Sequence, residues 1–189
     1  MIKDNFYIIT GGPGGGKTSI LECLRLQGIG YIEETARQII RARLNQGLSP
    51  RPEPLVFAEE MFKIDLSNFN SGSNGSSILF FDRSMVDSSG LIFKADKASF
   101  DHVAETLRTN RYNRKVFITP PWKEIYCQDA ERDQTFEQAI QVYEWLYDWY
   151  ETNGYDLVVI PKDSIEERAR FIYGEITPAR GYHPTKNNK

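Results

Sequence analysis

Apolar and polar residues follow two rhythms along this chain. Short uninterrupted apolar runs predict strands buried on both faces: Phe6-Tyr7-Ile8-Ile9, Ile78-Leu79-Phe80-Phe81, Val116-Phe117-Ile118 and Leu157-Val158-Val159-Ile160. Tyr31-Ile32 is a minimal further strand. Between the runs the apolar spacing becomes helical. Ile20, Leu21, Cys23 and Leu24 predict a helix from Lys17 to Gln27, with Gly28 as its stop. Ala36, Ile39, Ile40 and Leu44 predict one from Glu34 to about Asn45, and Phe57, Met61, Phe62 and Leu66 one from Val56 to Phe69. The stretch from Phe136 to Glu151 is aromatic all round, which a helix buried against a sheet explains more simply than a base-stacking platform. Strands alternating with helices imply a doubly wound α/β fold, a parallel sheet of about five strands with helices on both faces.

The connections are legible from their punctuation. Pro50, Pro52 and Pro54 stiffen one loop, because proline fixes its own φ and restricts the residue before it. Asn70 to Ser77 is rich in Gly, Ser and Asn and reads as an exposed connection. We expect one domain over residues 1–175 and a poorly ordered tail over 176–189, where prolines precede a polar Lys-Asn-Asn-Lys ending. The net charge of -3 supplies no general attraction to nucleic acid or an anionic membrane. An anionic ligand therefore needs a local cluster of donors. Cys23 and Cys127 are far apart, and His102 and His183 are the only histidines, so no zinc site or disulfide framework is suggested. No apolar run approaches the ~20 residues that span a bilayer, and Met1 to Tyr7 does not read as a signal peptide. A cytoplasmic location, with no integral membrane association, is the expectation; oligomeric state is not legible.

The chemistry begins where the first strand ends. Gly11-Gly12-Pro13-Gly14-Gly15-Gly16-Lys17-Thr18 has the spacing Gly-x4-Gly-Lys-Thr. Glycines let successive backbone N–H groups turn around a phosphate with no Cβ in the way, and the following helix aims its positive end at the same anion. Lys17 is expected to reach the β- and γ-phosphates, the Thr18 hydroxyl to ligate Mg2+, and Ser19 to continue the cradle.

In an open parallel sheet ligands bind beyond the carboxyl ends of the strands. Asp82, closing a wholly apolar strand, suits the second metal-holding residue, a helix N-cap being its ordinary alternative. Arg83 either touches phosphate or pairs with a carboxylate, and Asp87 is a weaker candidate than Asp82, since a capping or solvated role explains it as well. Glu33 or Glu34 follows the second strand; Glu34 is preferred as a general base, against a cap at the start of a helix. Arg132, between the fourth strand and the aromatic helix, is placed to stabilise charge on a transferring phosphoryl group, whereas Lys123 reads as solvated. Arg37 and Arg41 share one flank of their helix, most simply a solvent-facing one.

With these residues in hand, Glu33-Glu34-Thr35-Ala36-Arg37, Phe81-Asp82-Arg83 and Asp129-Ala130-Glu131-Arg132 give the chain a family look. It resembles the AAA-type P-loop family of small predicted ATPases that includes the ribosylnicotinamide kinase domain of NadR. The resemblance covers about residues 6–174. The Asp-Arg pair is also similar to that of thymidylate and deoxynucleoside kinases. The resemblance implies Lys17, Thr18 and Asp82 as phosphate and metal residues, Arg83 and Arg132 as phosphate-contacting arginines, and a carboxylate at the second strand, supporting Glu34, as base. The resulting expectation is a P-loop protein that binds ATP and Mg2+ and transfers the γ-phosphoryl group to a nucleoside-like or other hydroxyl acceptor. The rival is a nucleotide-dependent regulatory ATPase or GTPase module whose ordered surface a protein or lipid partner reads.

Overall fold

In the computed structural model the described residues are 1–72, 77–126 and 135–177. Five parallel strands form the main sheet: β2 (Phe6–Gly11), β3 (Gly30–Ile32), β4 (Leu79–Asp82), β6 (Lys115–Thr119) and β7 (Asp156–Val159). Their spatial order is β3-β4-β2-β6-β7, which puts the strand leading into the glycine loop at the centre. A separate parallel pair, β1 (Ile2–Lys3) and β5 (Arg111–Tyr112), has no apolar run to announce it.

Because strand side chains alternate between faces, each apolar run feeds two cores. Phe6, Ile8, Phe81, Val116 and Ile118 point to one side. There they meet α3 (Pro54–Ser71), α4 (Met85–Ala95), α5 (Lys97–Thr109) and α6 (Phe136–Thr152) through Phe62, Val86, Leu107 and Tyr150. Ile9, Phe80 and Phe117 point to the other side, where α1 (Lys17–Leu26) and α7 (Ile165–Ile176) bring Leu21, Leu24, Ala169 and Ile172. The doubly wound arrangement is thus the packing consequence of the uninterrupted runs. The run at 157–160 is less buried than its composition suggests. Leu157 and Val158 are half-buried and Val159 is exposed, because β7 is an edge strand.

The aromatic helix α6 buries Ala139, Leu146, Trp149 and Tyr150. The Trp149 indole donates to the Val86 carbonyl at 2.9 Å, tying α6 to α4. Gly90 makes that approach possible: a Cβ there would come within 2.7 Å of the Trp145 ring and 2.8 Å of the Trp149 Nε1. α7 runs to Ile176, where the tail was expected to begin, and residues 178–189 lie outside the described residues. No helix among the described residues is long and apolar enough to cross a membrane.

Candidate functional site

At the carboxyl end of β2 the chain turns through Pro13, Gly14, Gly15 and Gly16 into α1. Gly14 (φ 74°) and Gly16 (φ 77°) hold left-handed backbone that a side chain would strain. Gly16 is the N-cap of α1 and offers no capping side chain, so the first N–H groups of that helix are left for a ligand. Gly11 and Gly12 lie buried beneath the turn, against Thr119 and the Ala139 carbonyl. The Tyr126 ring covers Gly14, and an Arg168 guanidinium from α7 donates to the Gly15 carbonyl at 2.7 Å. Arg168 is buried, and no signal in the loop motif points to it; the only clue is an arginine on the Ala169-Ile172-Ile176 face of an amphipathic helix.

Lys17 is buried and its ammonium donates to the carbonyls of Gly11 and Gly12 at 3.3 and 3.1 Å. Burial, reinforced by the nearby Arg83, lowers its pKa to about 8. The Thr18 hydroxyl donates to Asp82 Oδ2 at 3.3 Å. Asp82 is 4% exposed, and its Oδ1 has no hydrogen-bond partner. It does not cap a helix, since Ser84 is the N-cap of α4. Burial pushes its carboxyl up to about 6. A buried, half-satisfied carboxylate beside a hydroxyl fits a cation that takes most of its oxygen ligands from phosphate and water. Among the described residues no cluster of three or more His, Cys, Asp or Glu side chains could hold a metal by itself.

Across the cleft stands a three-charge clamp. Glu34 is the N-cap of α2 (Thr35–Asn45), yet its carboxylate makes no capping bond. Instead Oε1 accepts from Arg83 Nε at 2.8 Å and Oε2 from Arg37 Nε at 3.0 Å. Burial alone would raise the Glu34 carboxyl, but Arg83, Lys17 and Arg37 together hold it down at about 2. Arg83 turns in from a left-handed backbone (φ 66°), the one such non-glycine among the described residues, and also reaches Asp87 at 3.4 Å. Strain of this kind persists only where the surroundings impose it, and here two carboxylates do so. Glu33 is exposed, so the choice between the two glutamates at this strand end falls to geometry, and Glu34 faces the site.

Asp87 is a cap but not a solvated one. Its Oδ2 accepts from the Ser84 N–H at 2.9 Å and from the Tyr150 hydroxyl at 2.5 Å, while Oδ1 accepts from Thr10 at 2.6 Å. The Ser84-x-x-Asp87 spacing signals the cap; the burial comes from β2 and α6. Arg37 likewise departs from the solvent-facing flank expected of it. One helical turn beyond Glu34, it is held inward by the ion pair and lines the cavity, whereas Arg41 is exposed.

One cavity of about 350 Å³ joins these groups. Pro13 to Thr18, Glu34 and Arg83 line it, and Asp82 stands behind Thr18. Ser19 is exposed and off the cavity, and Lys123 is exposed, as expected of it. Arg132 lies outside the described residues; the rings flanking its stretch, Tyr126 and Phe136, meet edge-on at 5.4 Å. The helical stretch between Pro50 and Phe69, where the sequence places an acceptor, supplies part of the far wall. Phe57 and Met61 of α3, Leu91 of α4 and Val142, Trp145 and Leu146 of α6 converge there with Ile40 of α2.

Solved structures of similar architecture include NadR, a deoxyadenosine kinase and a shikimate kinase. NadR in complex with NR superposes with a TM-score of 0.69 at 16% identity, over 93% of this chain and 52% of that one. The chain therefore spans about half the length of NadR. Deoxyadenosine kinase from M. mycoides gives a TM-score of 0.62 at 14% identity, over 90% of this chain and 98% of that one. Shikimate kinase from Aquifex aeolicus gives 0.51 at 12% identity, over 90% and 95%. At these identities the likeness shows the fold, a P-loop kinase-like one. No curated protein matches the sequence. The profile of the family described as "AAA domain" matches residues 6–168, and the chain belongs to that family.

Proposed function

We propose that this protein is a small-molecule kinase that binds ATP with Mg2+ and transfers the γ-phosphoryl group to a hydroxyl acceptor of about nucleoside size. The observation that carries the reading is the composition of the cavity at the glycine loop, which joins a glycine-built anion cradle to an apolar wall. The apolar wall offers room for a second small molecule beside the phosphates, which favours transfer over simple hydrolysis. Solved structures of NadR with NAD and AMP-PNP and of deoxyadenosine kinase with dATP are consistent with a nucleotide in such a cradle.

In this reading the backbone N–H groups from Gly14 to Thr18 and the Lys17 ammonium hold the β- and γ-phosphates. Thr18 and Asp82 are the residues that would hold Mg2+, which supplies charge neutralisation on the phosphate oxygens. Arg83 and Arg37, fixed by Glu34, direct positive charge toward the transferring group. The acceptor oxygen forms its bond to the γ-phosphorus as the bond from that phosphorus to the β,γ-bridging oxygen breaks, leaving ADP. The hydroxyl proton passes to Glu34. A carboxylate held down at about 2 is a weak base, which suits a loose transition state in which little proton removal is needed before bond breaking. Glu34 therefore works chiefly by orienting the hydroxyl and its two arginines. Arg132 is retained as a candidate cation on the phosphoryl group.

The test is ADP release by the full chain with ATP·Mg2+, alone and with a panel of hydroxyl compounds, followed by detection of the phosphomonoester. Acceptor-stimulated turnover with a matching phosphorylated product is expected. Slow turnover that no acceptor stimulates, with nucleotide-dependent capture of a macromolecular partner, would overturn the kinase in favour of a regulatory module.

A further inference from the structure

Asp87 is held by more donors than a helix cap requires. The Ser84 N–H at 2.9 Å completes the cap of α4, and the Ser84 hydroxyl in turn accepts from the Val86 N–H at 3.1 Å. Two further hydroxyls reach the same carboxylate from outside α4. Thr10 of β2 donates to Oδ1 at 2.6 Å, and Tyr150 of α6 donates to Oδ2 at 2.5 Å from 63 positions along the chain. Tyr150 is fully buried. Burial, with Asp87 beside it, holds its hydroxyl well above the usual phenol range, so it remains a donor.

The fixed carboxylate has a use that capping does not explain. Glu34 Oε1 holds Arg83 at Nε, at 2.8 Å, and Asp87 Oδ1 meets the same guanidinium at Nη1, at 3.4 Å. One contact fixes where a planar group sits; a second, at another nitrogen, fixes its rotation. Arg83 lines the cavity, so that rotation decides which N–H groups face a bound phosphoryl oxygen. The tyrosine is also tied to the acceptor side. Val142, Leu146 and Tyr150 follow one another at i, i+4 and i+8 on α6, the first two lining the apolar wall of the cavity. One row of one helix therefore serves both the acceptor chamber and the clamp.

We propose that Tyr150 is a positioning residue: through Asp87 it sets the rotation of the Arg83 guanidinium toward the transferring phosphoryl group, from the helix that walls the acceptor. This rests on the kinase reading above and adds a residue to its machinery. Tyr150 is buried behind the wall and does not line the cavity, so it acts only through its neighbours.

The test is Tyr150→Phe in the full chain, which removes the hydroxyl oxygen and keeps the ring. Acceptor-dependent phosphomonoester formation and acceptor-free ADP release are both measured with ATP·Mg2+. The kcat is expected to fall about tenfold, with the KM values for ATP and acceptor changed by less than about twofold. Asp87→Asn should produce a similar loss, and the double variant should lose no more than either single one, because both act on one guanidinium. Tyr155→Phe is the control: its ring is buried and packs edge-on at 5.6 Å from Tyr150, and its kcat is expected to match wild type. A crystal structure of Tyr150→Phe is expected to keep the Glu34–Arg83 pair and to show the Nη1 contact with Asp87 lost. Losses that multiply in the double variant overturn the proposal, as do a wild-type kcat, an effect confined to KM, or an Arg83 guanidinium that has not turned. If no acceptor yields a phosphomonoester, the kinase reading falls; acceptor-free ADP release and the crystal structure then still decide the role of Tyr150.

Discussion

The two ends of the cavity are built from different materials. The phosphate end is main chain, from Pro13 to Thr18, shaped by left-handed glycines and the start of one helix. The acceptor end is side chain, contributed by four helices distant in sequence: Ile40 from α2, Phe57 and Met61 from α3, Leu91 from α4, and Trp145 from α6. In the kinase reading, backbone amides read what all nucleoside triphosphates share, and a wall of packed side chains reads what one acceptor has alone. The difference teaches where the fold is constrained and where it is free to specialise.

The comparison breaks most readily at the cradle. Lys17→Ala removes the buried ammonium, and turnover is expected to fall by about 10²–10³-fold or more, as when a preorganised charge is lost from a transition state. Steady-state ADP release checks this, and an unchanged rate would mean that phosphate is not held there. Next comes the clamp. Glu34→Gln leaves Arg83 and Arg37 facing an uncharged amide, and kcat is expected to drop by about 10²-fold with the KM for ATP little changed. A loss confined to ATP affinity would make Glu34 part of the nucleotide site alone.

The acceptor wall should respond in the opposite sense. Trp145→Ala is expected to raise the acceptor KM about tenfold while leaving ATP binding near wild type, since it removes apolar contact from one end only. Equal effects on both substrates would erase the division between the two ends.

That division also explains what the sequence reveals. Phe6 to Ile9, the glycine loop and Asp82 are legible because each rests on local pattern: an apolar run, a spacing, a carboxylate at a strand end. The burial of Asp87 depends on a partner far along the chain, Tyr150, and the Glu34 carboxylate that draws Arg37 inward is itself held by the distant Arg83, for which no local rule exists. The same holds for Arg168, which reaches Gly15 across more than a hundred residues. The β1–β5 pair is hidden for another reason: two-residue strands carry no periodicity to read.

The smallest expected effect concerns the strut between the ends. Asp65 of α3 is buried and accepts from the hydroxyls of Thr35 at 2.5 Å and Ser88 at 2.8 Å, joining the starts of α2 and α4. Burial, outweighing these two bonds, raises its pKa to about 7, and Asp87 and Glu34 add to the rise. A raised carboxyl binds its proton more tightly in the folded state. Its contribution to stability is therefore complete below the unfolded pKa of about 4 and is lost as pH rises through about 7. Asp65→Asn cannot titrate, so denaturant unfolding should show its cost greatest near pH 5 and smallest near pH 8. A cost independent of pH would show that the carboxyl does not titrate there.

The most direct test of the two-ended cavity is a crystal structure of the full chain with AMP-PNP and Mg2+. The β-phosphate should be ringed by the amides of Gly14 to Thr18, the Lys17 ammonium drawn from the Gly11 and Gly12 carbonyls onto phosphate, and the γ-phosphate should face Glu34 with the Phe57–Trp145 chamber open beyond it. A triphosphate seated elsewhere, or a nucleotide base filling that chamber, would contradict it.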